Sequence, residues 1–349
     1  MSAPGSDERP VRYGVVGINH GHIHGQIAAV AGAGAVPAGF FAAEDDLAAE
    51  FAARHPDLPR LDHPDRLLDD PSVDLILTAA IPCDRAPIGI AAMRRGKDVM
   101  ADKPAFVSLD QLAEVRQAQR ETGRIFSVFY GERLASRCTL KALDLVRAGR
   151  IGRAVQVLGL GPHRANLGRR PEWFTDPARY GGILCDIASH QLDQFLVFTG
   201  TREAEVVASA VANYAHPDHP GLEDYGEVTV RGEGTHGFFR VDWYTPAGLG
   251  TWGDGRLIVL GTEGYLECRK NVDPAGRPGG DHLIVVDGAG TERIDCAAVE
   301  VTYGRDLVHD IRRRTETAMP QAHAFQASEL ALRAQAAATR RGHLRGAPA

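Results

Sequence analysis

One stretch of the chain pairs acids with a histidine at a spacing that can do chemistry. In Gly181-Gly182-Ile183-Leu184-Cys185-Asp186-Ile187-Ala188-Ser189-His190-Gln191-Leu192-Asp193, two glycines precede an amphipathic segment, and Asp186, His190 and Asp193 recur at i, i+4, i+7. On a helix these positions share one face. A carboxylate one turn from an imidazole is a usable acid–base pair, because imidazole titrates near neutrality. The same spacing also describes an ordinary surface pair or a histidine satisfied in a core. A second candidate is Lys103 in Val99-Met100-Ala101-Asp102-Lys103-Pro104. A lysine at the carboxyl end of a parallel strand faces the ligand crevice of an open sheet. Pro104 biases Lys103 toward an extended backbone. An ammonium there can stabilise charge developing on a substrate oxygen, although a surface lysine before a turn fits the same pattern.

A third constellation is Gly17-Ile18-Asn19-His20-Gly21-His22-Ile23-His24-Gly25, directly after an apolar run. Glycine at this place lets the chain turn tightly and approach a pyrophosphate, which the following helix N-terminus then holds. The pattern G-x-G-x-x-G would put glycine at 17, 19 and 22, but the residues are Gly17, Asn19 and His22. Asn19 tolerates a positive φ better than most residues, and Gly21 offers an alternative point of close approach. Three histidines invite a metal reading. The sequence places no carboxylate or cysteine beside them, so a phosphate loop without metal is expected. The acid that bonds ribose hydroxyls belongs near Ala42 or Ala43, neither of which is acidic. Glu44 is the nearest candidate, with helix N-terminal charge as its other reading. No Arg or Lys lies between Gly17 and Arg54, which favours NAD over NADP.

These residues need a scaffold. The first third alternates strand and helix signals. Strands are predicted at 11–17, 36–42, 74–79, 98–101 and 124–130, with helices between them, one opened by a Ser108-x-x-Gln111 capping box. This alternation implies a parallel, doubly wound sheet. After a helix over 135–148, strands follow in succession at 154–160, 205–214, 227–232, 236–244, 256–260 and 265–269, with Glu233-Gly234 in a hairpin turn. One helix, 184–198, interrupts them. Residues 271–281 read as a loop, and helices near 303–316 and 322–340 close the chain. The fold class is therefore α/β: an N-terminal doubly wound parallel sheet followed by an α+β domain with a large, mostly antiparallel sheet. The domains are a disordered tail over 1–10, a dinucleotide-binding domain over 11–130, a substrate and oligomerisation domain over 131–320, and a helix over 321–342 packing back on the first domain.

Composition sets the outer limits. The chain has 349 residues, 44% hydrophobic and 24% charged, with a formal net charge of -6. A nucleic-acid binder or membrane-surface protein would need a basic face. No apolar run approaches the ~18–20 residues of a membrane span, and Met1–Pro10 lacks the apolar core of a secretory signal. Five widely spaced cysteines without a C-x-x-C pair read as reduced thiols. A cytoplasmic protein is expected.

Taken together the motifs resemble the Gfo/Idh/MocA oxidoreductases. Lys103-Pro104 is similar to the family's E-K-P motif, with Asp102 in place of Glu. The segment 181–190 resembles its second-domain catalytic helix, Gly149-Arg150-Ile151-Gly152 its joint into the large sheet, and 261–267 its G-T-x-G-x-L-x segment. The resemblance runs from about Arg12 to Arg340. It implies that the first sheet is a Rossmann domain and the second an open-faced sheet domain, with a catalytic set of Lys103, Asp186 and His190. It implies a nicotinamide cofactor, NAD with NADP as the alternative, contacted by Gly17, Ile18, Asn19, His20, Gly21, His22, Glu44, Ala80, Asp102 and Lys103. Arg133, His163, Arg164, Trp173 and Tyr180 are candidates to line the substrate pocket. The expected activity is hydride transfer at a secondary alcohol of a sugar, polyol or cyclitol. Redox-assisted elimination or glycoside cleavage with recycled cofactor, and a non-catalytic sugar sensor, are the alternatives. Homodimers or homotetramers are implied, packed through the uncovered sheet face.

Overall fold

The computed structural model describes residues 9–341. The chain divides into two compact units that do not split at a single point. One comprises the residues up to Asp102, Ala113–Phe129 and Thr302–Gln321; the other comprises Lys103–Leu112, Tyr130–Val301 and the residues from Ala322. Most of the expected tail over 1–10 lies outside the described residues.

The first unit is a five-stranded parallel sheet of β1 (Arg12–Val16), β2 (Val36–Phe41), β3 (Leu75–Thr78), β4 (Asp98–Asp102) and β5 (Phe126–Phe129), in the order β2-β1-β3-β4-β5. Strands β3, β4 and β5 are buried along their whole length. Their centres, such as Leu75-Ile76-Leu77 and Val99-Met100-Ala101, therefore read as continuous apolar runs rather than alternating ones. The order reverses between β1 and β3, and ligands of such sheets bind outside the strand ends at that switch point. The helix Ile23–Gly32 packs against Tyr303–Arg313 so closely that a Cβ on Gly304 would lie 2.0 Å from the Ala29 carbonyl oxygen.

The second unit carries nine strands: β6 (Ala154–Pro162), β7 (Ala204–Ala212), β8 (Tyr225–Gly232), β9 (Thr235–Asp242), β10 (Arg256–Gly261), β11 (Gly264–Arg269), β12 (His282–Asp287), β13 (Gly290–Ile294) and β14 (Thr339–Arg341). Their order is β13-β12-β11-β10-β6-β9-β8-β7-β14. Pairing is antiparallel except at β6–β9 and β7–β14. The hairpin with Glu233-Gly234 in its turn forms as expected, Gly234 taking φ +64°. Strands β12 and β13 were not expected. They follow the Pro/Gly-rich loop 271–281 and are short; β12 is ordered by pairing with β11, and β13 by pairing with β12. The final helix ends at Ala337 instead of continuing to 340, and Thr339–Arg341 adds to β7.

One face of this sheet receives the helical run 184–199. The run begins with a π-turn, Leu184–Ala188, and continues as the α-helix Ser189–Thr199. Glycines let it lie close. A Cβ on Gly159 would come within 2.8 Å of Gln191, and one on Gly161 within 3.0 Å of Ile187. The other face stays open, exposing Val207, Phe238, Leu260 and Tyr265. All five cysteines are free thiols. No helix of the described residues is long and apolar enough to cross a membrane.

Candidate active site

In the first unit the loop after β1 turns on Gly17. Its φ is +82°, and a Cβ there would sit 2.4 Å from the Cβ of Ala80. Both the backbone angle and the contact demand glycine. The loop is pinned to β3 by the His20 amide donating to the Ala79 carbonyl at 2.9 Å. A Cβ on Gly21 would meet nothing within 4 Å, so that stretch of backbone is open to a ligand. Asn19 Nδ2 donates to Glu44 Oε1 at 2.7 Å. Glu44 precedes the helix Asp45–Arg54 but makes no side-chain cap to it. The helix-charge reading is therefore the weaker one, and Glu44 is tied to the glycine loop. Sequence inspection missed Arg60, which reaches the Ala42 carbonyl at 3.2 Å and Asp45 at 2.6 Å. The bridge between Phe40 and Arg60 brings it there.

The carboxylate not expected beside the histidines is Asp102, at the end of β4. It is fully buried, 2.9 Å from His22 Nδ1, 3.3 Å from His20 Nδ1 and 3.2 Å from Arg85 Nη2. Eighty residues separate Asp102 from His22, and only the sheet order reveals that they meet. Burial alone would raise the Asp102 carboxyl. The charges of His22, Arg85 and His20, with the His22 hydrogen bond, outweigh it and hold the group well below the usual carboxylate range. One ligand atom each from His20, His22 and Asp102 lie within 4.8 Å of one another, close enough to hold a metal ion. The Arg85 cation on the same carboxylate opposes a second cation and suits an anion. Tight turn, open Gly21 backbone, helix N-terminus and the imidazoles of His20 and His22 together fit a dinucleotide pyrophosphate.

In the second unit Lys103 Nζ donates to Asp186 Oδ1 and to the Asp186 carbonyl oxygen, both at 2.8 Å. Lys103 and Asp186 are buried. Asp186 lies in the π-turn, a helix irregularity that recurs at functional sites. His190, one turn on, is buried with its ring 6.2 Å from Tyr130, edge to face. Burial pushes the Tyr130 phenol well up, so it stays protonated. Asp193 does not join this group. It accepts two bonds from Arg133, both 2.7 Å, and one from His323, also 2.7 Å.

Of the residues expected to line a pocket, His163 stands by the pair. The close seating of Gly161 on Ile187 brings the end of β6 against the acid helix. His163 Nδ1 is 3.1 Å from the Gly161 carbonyl oxygen. A carbonyl can only accept, so Nδ1 carries the hydrogen and Nε2 the lone pair. Burial first, then the Lys103 charge, push the His163 pKa down to about 4, keeping it neutral at ordinary pH. Its ring lies 4.5 Å from Trp252 and 5.5 Å from Trp243. Four other expectations fare differently. Arg133 is committed to Asp193. One Arg164 nitrogen is bonded to the carbonyls of Pro246, Leu249 and Thr251 at 3.0, 2.5 and 2.9 Å, stapling a loop. Tyr180 is buried, its hydroxyl accepting from the Glu223 amide at 3.1 Å. Trp173 is buried against Phe174. Sequence inspection missed Trp243, Trp252 and Arg170. The aromatics come from the end of β9 and the loop after it, and nothing local marks them.

Comparison with known proteins identifies this assembly. Residues 11–130 match the oxidoreductase family with an NAD-binding Rossmann fold, and residues 139–267 match the GFO/IDH/MocA C-terminal domain. The chain belongs to the Gfo/Idh/MocA oxidoreductase family. It therefore has an NAD-binding domain. A crystal structure of an oxidoreductase from Erwinia carotovora atroseptica is 44% identical, with a TM-score of 0.92 over 95% of this chain and 99% of that one. A scyllo-inositol 2-dehydrogenase (NAD+) of Bacillus subtilis is 26% identical over 209 residues, covering 58% of this chain and 57% of that protein. The chain spans about half the length of the curated relatives it matches. A levoglucosan dehydrogenase in complex with NADH and levoglucosan shares the fold, at 18% identity and a TM-score of 0.79 over 94% of this chain and 98% of that one.

Proposed function

We propose that the protein transfers a hydride between NAD and a secondary alcohol of a sugar, polyol or cyclitol. The observation that carries this reading is the buried Lys103–Asp186 pair at 2.8 Å, one helical turn from a buried His190. NAD, when bound, supplies the two-electron hydride acceptor. Gly17, Ile18, Asn19, His20, Gly21, His22, Glu44, Ala80 and Asp102 are the residues that would hold it. In the oxidation direction, His190 takes the hydroxyl proton as the carbon gives up hydride. Lys103, its ammonium aimed by two bonds to Asp186, stabilises the oxygen as negative charge develops. Asp186 holds Lys103 in place through both bonds. The neutral Nε2 of His163 can accept a hydrogen bond from a second hydroxyl. Relatives named for inositol, xylose and anhydrofructose chemistry support this substrate class. The test is a panel of sugars, polyols and cyclitols with either nicotinamide, read by absorbance of the reduced cofactor. At least one should give stoichiometric reduction. Product formation with no net change in cofactor would instead mark a recycled, redox-assisted cleavage.

Assembly is part of the proposal. The open face of the nine-stranded sheet exposes Val207 at 53%, Leu260 at 42%, Tyr265 at 41% and Phe238 at 37%. The register sets Leu260 opposite Tyr265. Such a band on an uncovered sheet face is hidden by a second copy of the chain. Phe238→Glu should shift the sedimentation equilibrium toward monomer.

A further inference from the structure

Arg170 lies on the 164–180 loop, and its guanidinium has an unusual setting. The carbon at its centre lies 4.3 Å from the Phe174 ring centroid and 5.4 Å from that of Trp243. Phe174 and Trp243 are themselves buried and packed edge to face at 5.1 Å. The one hydrogen bond it makes among the described residues runs from Nε to the Ala165 carbonyl, at 3.0 Å. It has no carboxylate partner within ion-pair distance there. The terminal nitrogens of the fork are not among the buried, unsatisfied atoms, so they are reachable. Trp243 has a related feature: its Nε1–H is buried and has no acceptor among the described residues. Trp243 also packs on His163, which stands by the Lys103–Asp186 pair, and Asp186 is the carboxylate whose charge Arg170 feels.

Charge can be followed around this group. Lys103 and Arg170 each contribute a positive charge and Asp186 one negative charge. Lys270 and Glu132, beside Trp252, are joined at 2.8 Å and cancel. His163 is neutral. Over these named groups the sum is one positive charge, and the arginine fork lacks acceptors among the described residues. A planar guanidinium seated over the Phe174 ring and beside Trp243, with its fork unbonded there, can make two parallel bonds to a carboxylate. A carboxylate of charge -1 balances these groups, whereas a phosphate monoester, at roughly -1.5 to -2, exceeds them.

We propose that the substrate is a sugar acid, an aldonate or uronate, whose carboxylate is bound by the Arg170 fork. This rests on the dehydrogenase reading above and narrows its substrate class. Arg170 then determines specificity, distant from the hydride transfer itself.

The experiment uses the full chain with NAD and matched probes: D-gluconate against D-glucitol, D-galactonate against D-galactitol, D-glucuronate against D-glucose, and D-galacturonate against D-galactose. D-Glucose 6-phosphate forms a third arm. Turnover is read by reduced-cofactor absorbance and binding by tryptophan fluorescence, which reports on Trp243. At least one acid should exceed its neutral counterpart by tenfold or more in kcat/KM. Arg170→Gln should collapse that ratio by roughly 10- to 100-fold, the scale of a lost charge-assisted contact, through KM more than kcat. Arg170→Lys should restore part of it. Neutral members preferred throughout, a preferred phosphate, or an acid preference that survives in a folded Arg170→Gln variant would each overturn the proposal. If no probe is turned over, the dehydrogenase reading fails, and binding still decides this one. Acids that bind the wild type and not Arg170→Gln uphold it. Absence of acid binding sinks it.

Discussion

Asp186 and Asp193 stand on one continuous helical run, and both are buried. Asp193 is enclosed by a two-bond Arg133 fork and by His323. Burial alone would raise its carboxyl, but those partners outweigh burial and hold it below the ordinary range. Asp186 has a single lysine as its ion-pair partner among the described residues and lies near the incompletely bonded Arg170. The difference teaches that spacing locates acids but not their tasks. A carboxylate saturated by the fold is a joint. One that shares a cation with an open surround is available for chemistry.

The sharpest way to break this contrast is to strike the second group. His190→Asn should lower single-turnover hydride transfer by ~10²–10⁴-fold, the usual contribution of a positioned base, while leaving cofactor binding nearly intact. Lys103→Met should be comparably damaging, and Asp186→Asn less so if it only orients Lys103. The two severe losses should not multiply in the double variant, because both residues serve one transition state. Near wild-type turnover in His190→Asn would remove the base assignment.

Next in size is Asp193→Ala, which leaves Arg133 buried without its carboxylate. Breaking such a pair costs about 3–5 kcal/mol, to be read from urea unfolding. Turnover per folded molecule should change far less. The linkage has a definite sign. Because the native Asp193 pKa is depressed, the unfolded chain takes up the proton more readily. The stability it contributes is complete above the unfolded value of about 3.9 and is lost as pH falls through the native value. Asp193→Asn should flatten that part of the acid unfolding profile. If instead Asp193→Ala left stability unchanged and abolished turnover, the roles of the two acids would be reversed.

Smaller effects come from the first unit. NAD should bind more tightly than NADP, and Glu44→Gln should narrow the gap by roughly tenfold, the worth of a charged hydrogen bond, in calorimetric titrations. Arg60 is engaged by Asp45, so NADP preference in the wild type would mean that it releases that acid. The smallest expected effect is none at all. Chelators should leave turnover intact, because Arg85 already serves the carboxylate of the histidine cluster. Chelator inactivation reversed by added Zn²⁺ would turn His20, His22 and Asp102 into a metal centre.

The parts legible from sequence were those carried by local pattern. The five parallel strands, the Gly17 turn, the 225–242 hairpin and the acid helix all announce themselves through periodicity or punctuation. The capping box is present in altered form: Ser108 accepts from the Gln111 amide at 3.2 Å, while Gln111 reaches the amide of Val107 instead. What escaped depended on distant pairing. Asp102 meets His22 only because β4 lies two strands from β1. Arg133 looked like a ligand residue because its partner Asp193 is sixty positions away. The π-turn, which inserts no unusual residue, left no trace in the pattern.

The two ends of the nine-stranded sheet limit how the protein can stick to itself. An exposed strand edge is a template for pairing with any extended chain, and such pairing leads to fibres. Here one end is β13, five residues that include Glu292 and Arg293, with Glu292 held by Arg150 at 2.8 Å. The other end is β14, three residues of which two are arginines. Short, charged borders offer little to an incoming strand. Lateral growth is discouraged at both margins, which leaves the broad apolar face as the place where a closed, countable assembly can form.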